Sequence, residues 1–209
     1  MQSLSTSPLG YIMKEYSLIQ LPLGGTIKEV HLDSYSVLNL DYSLKSFTFG
    51  LISGDYTTDV FGEMKNNELL IKMKSQESEN KAVFNAPNGI YLPGAIPLLA
   101  RAKKFPQGNF TLPTFDPLSV AINDLNVALG PKESVKTGDT ETMGYRLSLV
   151  FAGIATTMWI DDTGRVLLEE ETAGMKMVKT SRDDALDMPI VNIEQQDLLN
   201  ALAVHCKGE

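Results

Sequence analysis

The stretch Lys45-Ser46-Phe47-Thr48-Phe49-Gly50-Leu51-Ile52-Ser53-Gly54-Asp55-Tyr56-Thr57-Thr58-Asp59-Val60-Phe61-Gly62-Glu63-Met64-Lys65-Asn66-Asn67-Glu68-Leu69-Leu70-Ile71-Lys72-Met73-Lys74 decides the fold class. Across Lys45–Ile52 the side chains alternate. Phe47, Phe49 and Leu51 share one face, and Ser46, Thr48 and Gly50 the other, which is the period-two pattern of a strand. Ser53-Gly54-Asp55 reads as a turn and Tyr56–Glu63 as the returning strand. Lys65-Asn66-Asn67 is a second turn before the strand Glu68–Lys74. Turns spaced by about 8–12 residues mark an antiparallel meander.

The rhythm continues on both sides. Upstream, Gly10–Leu21, Gly25–Leu32 and Ser36–Asp41 read as strands, with a turn at Gly24-Gly25. Downstream, residues 85–89 form a loop and Ala95–Lys104 reads as a helix, with Ile96, Leu99 and Ala100 at helical spacing. Pro97 suits its first turn, and Lys103 and Lys104 suit its negative C-terminal end. Phe110–Pro117 is punctuated by prolines, as an edge strand or a strap across a sheet would be. Ser119–Leu129, Pro131–Val135 and Lys136–Thr142 read as weaker strands, the last with a turn at Gly138-Asp139. Tyr145–Phe151 and Ile154–Ile160 are clear strands, and Asp161-Asp162-Thr163-Gly164 is a hairpin turn. Arg165–Thr172 and Met175–Thr180 follow, then short helical signals at Ser181–Asp184 and Glu194–Val204.

Runs of strands around one helix predict a mainly β protein with some α. The expected architecture is a large antiparallel curved sheet, or half-open barrel, wrapped on one or more helices. The expected division is a disordered start at 1–9, a β-rich domain at 10–180 with its helix at 95–104, and a helical tail or linker at 181–209 leading toward a downstream domain.

Composition removes options. The chain has 209 residues, 26 acidic against 18 basic, a formal net charge of -8 and 43% hydrophobic residues. It is globular, and it lacks the basic footprint of a nucleic-acid binder. It also lacks a polybasic face for anionic lipid. The single Cys206 makes no internal disulfide. No apolar run approaches the roughly 18–20 residues of a membrane-spanning helix. Residues 1–10 lack the features of a signal peptide, which leaves a cytoplasmic protein or a piece of a longer chain.

Chemical motifs are sparse. His205 and Cys206 are adjacent, so on a strand they point apart, and His31 lies among polar strand positions. There is no G-x-S-x-G, no P-loop and no G-x-G-x-x-G. One cysteine and two distant histidines do not make a zinc site. Asp161–Gly164 lacks the spacing of a calcium loop. Glu169, Glu170 and Glu171 read as cross-strand partners for Lys176 and Lys179 on a solvated face. The expectation is therefore no enzyme, no metal and no cofactor in this chain. The scattered methionines suit gap-filling in a core, or the wall of a cavity for a greasy ligand. Phe47, Phe49, Leu51, Ile71, Met73, Trp159, Met175 and Met177 are the candidate cavity residues.

Two segments carry a family likeness. One is Tyr91-Leu92-Pro93-Gly94-Ala95-Ile96-Pro97-Leu98-Leu99 with Gly108 and Phe110–Pro117. The other is Thr156–Leu167, then Glu170-Glu171, Gly174-Met175, Met177-Val178 and Ser181–Leu186. With Gly10-Tyr11, Tyr16 and Leu44–Phe47, they resemble the β-rich domain that precedes the transglutaminase-like domain in bacterial extracytoplasmic proteins. The second segment is also similar to domains of unknown function and to LolA-like lipoprotein carriers. The resemblance implies a half-open barrel on a helix and an extracytoplasmic or periplasmic location. It also implies a covalently linked catalytic domain downstream, whose Cys, His and Asp do not map onto this chain. The expected role is a non-catalytic accessory or binding domain that positions a substrate or partner. The alternative is a carrier of a hydrophobic or acylated ligand in a LolA-like cavity. A third reading has Asp116, Asp139 and Glu170 converging in a hydrolase or isomerase site.

Overall fold

The computed structural model describes residues 2–23, 26–76, 78–102, 108–137, 140–151, 153–171 and 176–178. Seven strands come first: β1 (Gln2–Ser7), β2 (Gly10–Leu23), β3 (Thr26–Leu38), β4 (Leu44–Ser53), β5 (Tyr56–Lys65), β6 (Glu68–Ser75) and β7 (Glu79–Asn85). A 3-10 turn over Pro93–Ala95 leads into α1 (Ile96–Ala102). Six strands follow: β8 (Gly108–Asp116), β9 (Ala121–Thr137), β10 (Thr140–Phe151), β11 (Ile154–Ile160), β12 (Val166–Glu171) and β13 (Lys176–Val178). Each set forms one antiparallel meander, ordered β1 to β7 in the first sheet and β8 to β13 in the second.

Local chemistry sets the tight hairpins. Asn66 and Asn67 both hold positive φ (53° and 63°), the requirement of a type I′ turn, which matches the twist of the strands it joins. Gly54 supplies the positive φ (58°) between β4 and β5. At Asp161–Gly164, Asp161 Oδ1 accepts from Thr163 N at 2.8 Å and from Arg165 N at 3.0 Å, which fixes the β11–β12 turn.

Several expectations change. The mainly β, antiparallel class stands, and the described strands lie in two sheets beside a short helix. Gln2–Ser7, read as part of a disordered start, is a strand paired with β2. Its polar residues hide it, because they suit an exposed edge strand. Residues 26–38 form one strand, not two. Asp33, between the two expected strands, pairs with Gly50, which leaves room for its carboxylate: a Cβ there would sit 2.7 Å from Oδ1. The exposed edge strand β7 has no clear alternation and was not expected. Strand β9 runs unbroken through Gly130 and Pro131, because the register shift opposite Arg146 frees Pro131 from the ladder. The proposed tail at 181–209, including His205 and Cys206, lies outside the described residues, as do Lys103 and Lys104.

Helix α1 is the wedge between the sheets. Ile96, Pro97, Leu98, Leu99 and Ala100 are all buried, so the first five positions of the helix are apolar on every side because they are covered on every side. Ala95 and Leu98 pack into the core of the first sheet, and Ile96, Leu99 and Ala100 into that of the second. The hairpin tip at Gly164 presses on α1, where a Cβ would meet Pro97 O at 2.7 Å. Beside it Arg101 stacks on the Tyr145 ring at 3.9 Å, and Lys132 Nζ meets Asp162 at 2.8 Å.

The connecting residues Ile90 and Tyr91 also tie the two sheets together. Leu44 N donates to Ile90 O (2.7 Å), Tyr91 N to Pro113 O (3.0 Å) and Phe115 N to Tyr91 O (2.9 Å). Phe115 of β8 is fully buried and lies 5.4 Å from the Phe47 ring and 5.8 Å from the Phe84 ring. Gly62 makes room for Phe47, whose ring would lie 2.0 Å from a Cβ at that position. No helix among the described residues is long and apolar enough to cross a membrane.

Candidate functional site

Strand pairing lays out the inner face of the first sheet in rows. One row runs Met13, Ser36, Phe47, Gly62, Ile71. These are sealed, with Met13 and Ser36 at 0% exposure and Phe47 and Ile71 at 3%. The next row, two residues along each strand, is Glu15, Ser34, Phe49, Val60, Met73. Here Val60 stays buried, while Glu15, Ser34, Phe49 and Met73 are half-buried. The third row is Ser17, Leu32, Leu51, Thr58, with Ser17 exposed and the other three half-buried. The cover from the second sheet thins out along this direction.

A groove of about 220 Å³ opens where the cover ends. Its floor is Glu15, Ser17, Leu32, Ser34 and Phe49, from β2, β3 and β4. Its walls are Leu92-Pro93-Gly94 and the turn Asp116-Pro117-Leu118. Leu118 is 58% exposed. Asp116 builds its own turn, accepting from Leu118 N at 3.0 Å and Ser119 Oγ at 2.6 Å. Val120, in the same turn, holds φ at 51°, a conformation rare for a β-branched residue, and its side chain packs on the core of the first sheet.

Glu15 is the chemically distinct group. Gly94 lets its carboxylate approach the wall, since a Cβ there would meet the Glu15 carboxyl carbon at 2.7 Å. Gln2 Nε2 donates to Glu15 Oε1 at 3.1 Å and to Gly94 O at 3.0 Å. Burial pushes the Glu15 carboxyl above its ordinary range, against the opposing pull of the Gln2 hydrogen bond and the charged amino terminus. Strand β1, missed in the sequence, thus supplies the side chain that holds Glu15.

No protein-family model matches the chain, and no curated protein matches it. Solved structures do. The chain is similar to the β-barrel-like protein of the domain of unknown function DUF1849 from Brucella abortus. That match has a TM-score of 0.63 and 11% identity, over 81% of this chain and 79% of that one. The likeness shows the fold. A DUF1089 family protein from Pseudomonas aeruginosa matches with a TM-score of 0.46 and 10% identity, over 80% of this chain and 86% of that one.

The predicted cavity residues part company in this fold. Phe47, Phe49, Leu51, Ile71 and Met73 share the inner face of the first sheet, and of these Phe49 lines the groove. Trp159 belongs to the second sheet, packed near Val135, Leu167 and Leu168, and its Nε1 donates to Glu133 at 2.7 Å. Met177 is 55% exposed on β13, and Met175 lies outside the described residues. Asp116 and Glu170 sit on strands four positions apart in the second sheet, about 19 Å at ordinary strand spacing, and Asp139 is not described. Pairing sets Glu170 opposite Lys176, as the cross-strand reading expected. His31 is on the sheet's outer face, with Nδ1 3.0 Å from the Tyr16 hydroxyl. Among the described residues no cluster of three metal-ligating side chains forms.

Sequence reasoning missed Glu15, Ser17, Ser34 and Leu118. The signal was present in β2, where the inner positions change from Met13 to Glu15 to Ser17. It becomes readable only when the inward face is known.

Proposed function

We propose that this chain is a non-catalytic binding module that seats part of a partner or substrate in the groove between its two sheets. The carrying observation is the groove itself. It combines an apolar surface from Leu32, Phe49, Leu92 and Leu118 with the carboxyl of Glu15 held at its side. Ligand sites take this form, an apolar lining with a few placed polar groups. By the sequence resemblance, the module belongs to a bacterial envelope protein and presents its ligand to a transglutaminase-like catalytic neighbour. The volume supports binding of a side chain or short segment over carriage of an acyl chain. It falls below the roughly 300–1,000 Å³ of sites that enclose whole small molecules, and Phe115 fills the space deeper in.

The test is an amide NMR titration of the protein with a mixed pool of short peptides. Shifts concentrated at Glu15–Ser17, Leu32–Ser34, Phe49 and Asp116–Leu118, and lost in Ser17→Trp, support the reading. Shifts elsewhere, or none in a folded protein, overturn it.

A further inference from the structure

The groove's chemistry is one-sided. Its lining includes the acidic residues Glu15, Asp33 and Asp116 and the hydroxyl residues Ser17 and Ser34, and among the described residues no basic one. Two of the three carboxylates are otherwise engaged. Asp116 caps its own turn, and Asp33 lies over Gly50 on the opposite face of the sheet. Glu15 is left as the charge that faces the groove. Its one hydrogen-bond donor among the described residues is Gln2, an uncharged amide, and the charge of the amino terminus acts on it through space without a hydrogen bond.

Resting on the binding-module reading, we infer that the groove accepts the side chain of a lysine from a partner protein, with its ammonium on Glu15 and its methylenes along Phe49, Leu32 and Leu92. Three observations support this choice. The volume of about 220 Å³ suits one long side chain. Lysine carries an apolar stem under a charged head, the order in which the groove places its apolar surface and its carboxylate. The chain's net charge of -8 draws a basic partner over longer range. A compact ammonium also fits better than a guanidinium here, because one carboxylate oxygen is already taken by Gln2 and the planar fork of arginine wants both.

The experiment compares three peptides of about ten residues, identical except for a central lysine, Nε-acetyl-lysine or norleucine. Each is titrated by NMR against the whole chain, Glu15→Gln and Ser17→Trp, with melting curves confirming that every variant is folded. The expected result is binding of the lysine peptide at least tenfold tighter than of the other two, with that preference abolished in Glu15→Gln and all binding lost in Ser17→Trp. If lysine and norleucine bind equally and Glu15→Gln changes nothing, while Ser17→Trp still blocks, the lysine assignment is overturned and the groove stands. If Ser17→Trp leaves the binding of every peptide unchanged, or no peptide binds, both readings fall.

Discussion

The first sheet presents one inner face with two different ends. At one end Met13, Phe47 and Ile71 are sealed in one cluster with Phe115 of the second sheet, and Phe84 packs against it from the neighbouring strand β7. At the other, Glu15, Ser17 and Phe49 face a groove. The two ends are two to four residues apart on the same strands, so backbone geometry does not separate them. The cover does. Strand β8 and the segment 90–95 close over the first rows and then turn away at Asp116–Val120. The side chains follow the cover: Met gives way to Glu and Ser on β2, while Phe47 gives way to a half-buried Phe49 on β4. The lesson is that a strand's inner positions are written for what lies above them, row by row. The sealed end carries stability, and under the proposed function the open end carries recognition.

The sealed end breaks most severely at Phe115. It is fully buried and joins the two sheets, so Phe115→Ala is expected to cost about 3–5 kcal/mol, the usual range for a buried aromatic. Urea denaturation checks this, and a loss below 1 kcal/mol would show that the sheets hold together without it. Gly62→Val comes next. The new side chain would occupy the space of the Phe47 ring, and overpacking of this kind costs about 1–3 kcal/mol. Phe47→Leu in the same chain should recover part of the loss, which separates a steric cause from a general weakening of β5.

The open end predicts a change of opposite sign. The Glu15 carboxyl is raised above its ordinary value of 4.5 in the folded chain, chiefly by burial. Between the ordinary and the raised value the folded chain therefore binds more protons than the unfolded one. Stability falls as pH rises through that window, and the cost is fully present above it. Glu15→Gln is uncharged at every pH and keeps an oxygen for Gln2. Its Tm is expected to match the parent in acid below the window and to exceed it at neutral pH. The difference is smaller than for either sealed-end variant. Equal melting temperatures at pH 4 and pH 8 would show that the carboxylate is well solvated.

Much of the sealed end was legible in the sequence, and little of the open end was. Alternation placed Phe47, Phe49 and Leu51 on one face because the period of a strand is fixed by covalent geometry. The turns at Gly54, Asn66-Asn67 and Asp161–Gly164 were legible because positive φ and Asx bonding restrict residue choice. The helix was legible from Ile96, Leu99 and Ala100. Strand β1 was not, since an exposed polar edge carries no hydrophobic pattern. The division into two sheets was not, because a meander reads the same whether it continues or restarts after a crossover. That same ambiguity put Trp159 and Phe47 in one imagined cavity. Glu15 passed unnoticed because an acid on a strand means little until Gln2, Gly94 and Ser34 surround it, and Gln2 and Gly94 are themselves 92 residues apart in sequence.

The smallest stability effect separates the two ends most sharply. Leu118 is as apolar as Leu44 or Leu69, but it is 58% exposed where they are 2% and 0%. Replacing it by serine removes little buried surface, and its backbone turn is held by Asp116, not by its side chain. Leu118→Ser is therefore expected to leave stability within about 0.5 kcal/mol of the parent, the range of ordinary surface changes. If Leu118 serves the groove, the same variant weakens binding of the lysine peptide severalfold and moves the amide signals of Phe49 and Ser34 across the groove. A loss of stability comparable to Phe115→Ala would mean that Leu118 is part of the core, and that the inner face has one sealed surface instead of two ends.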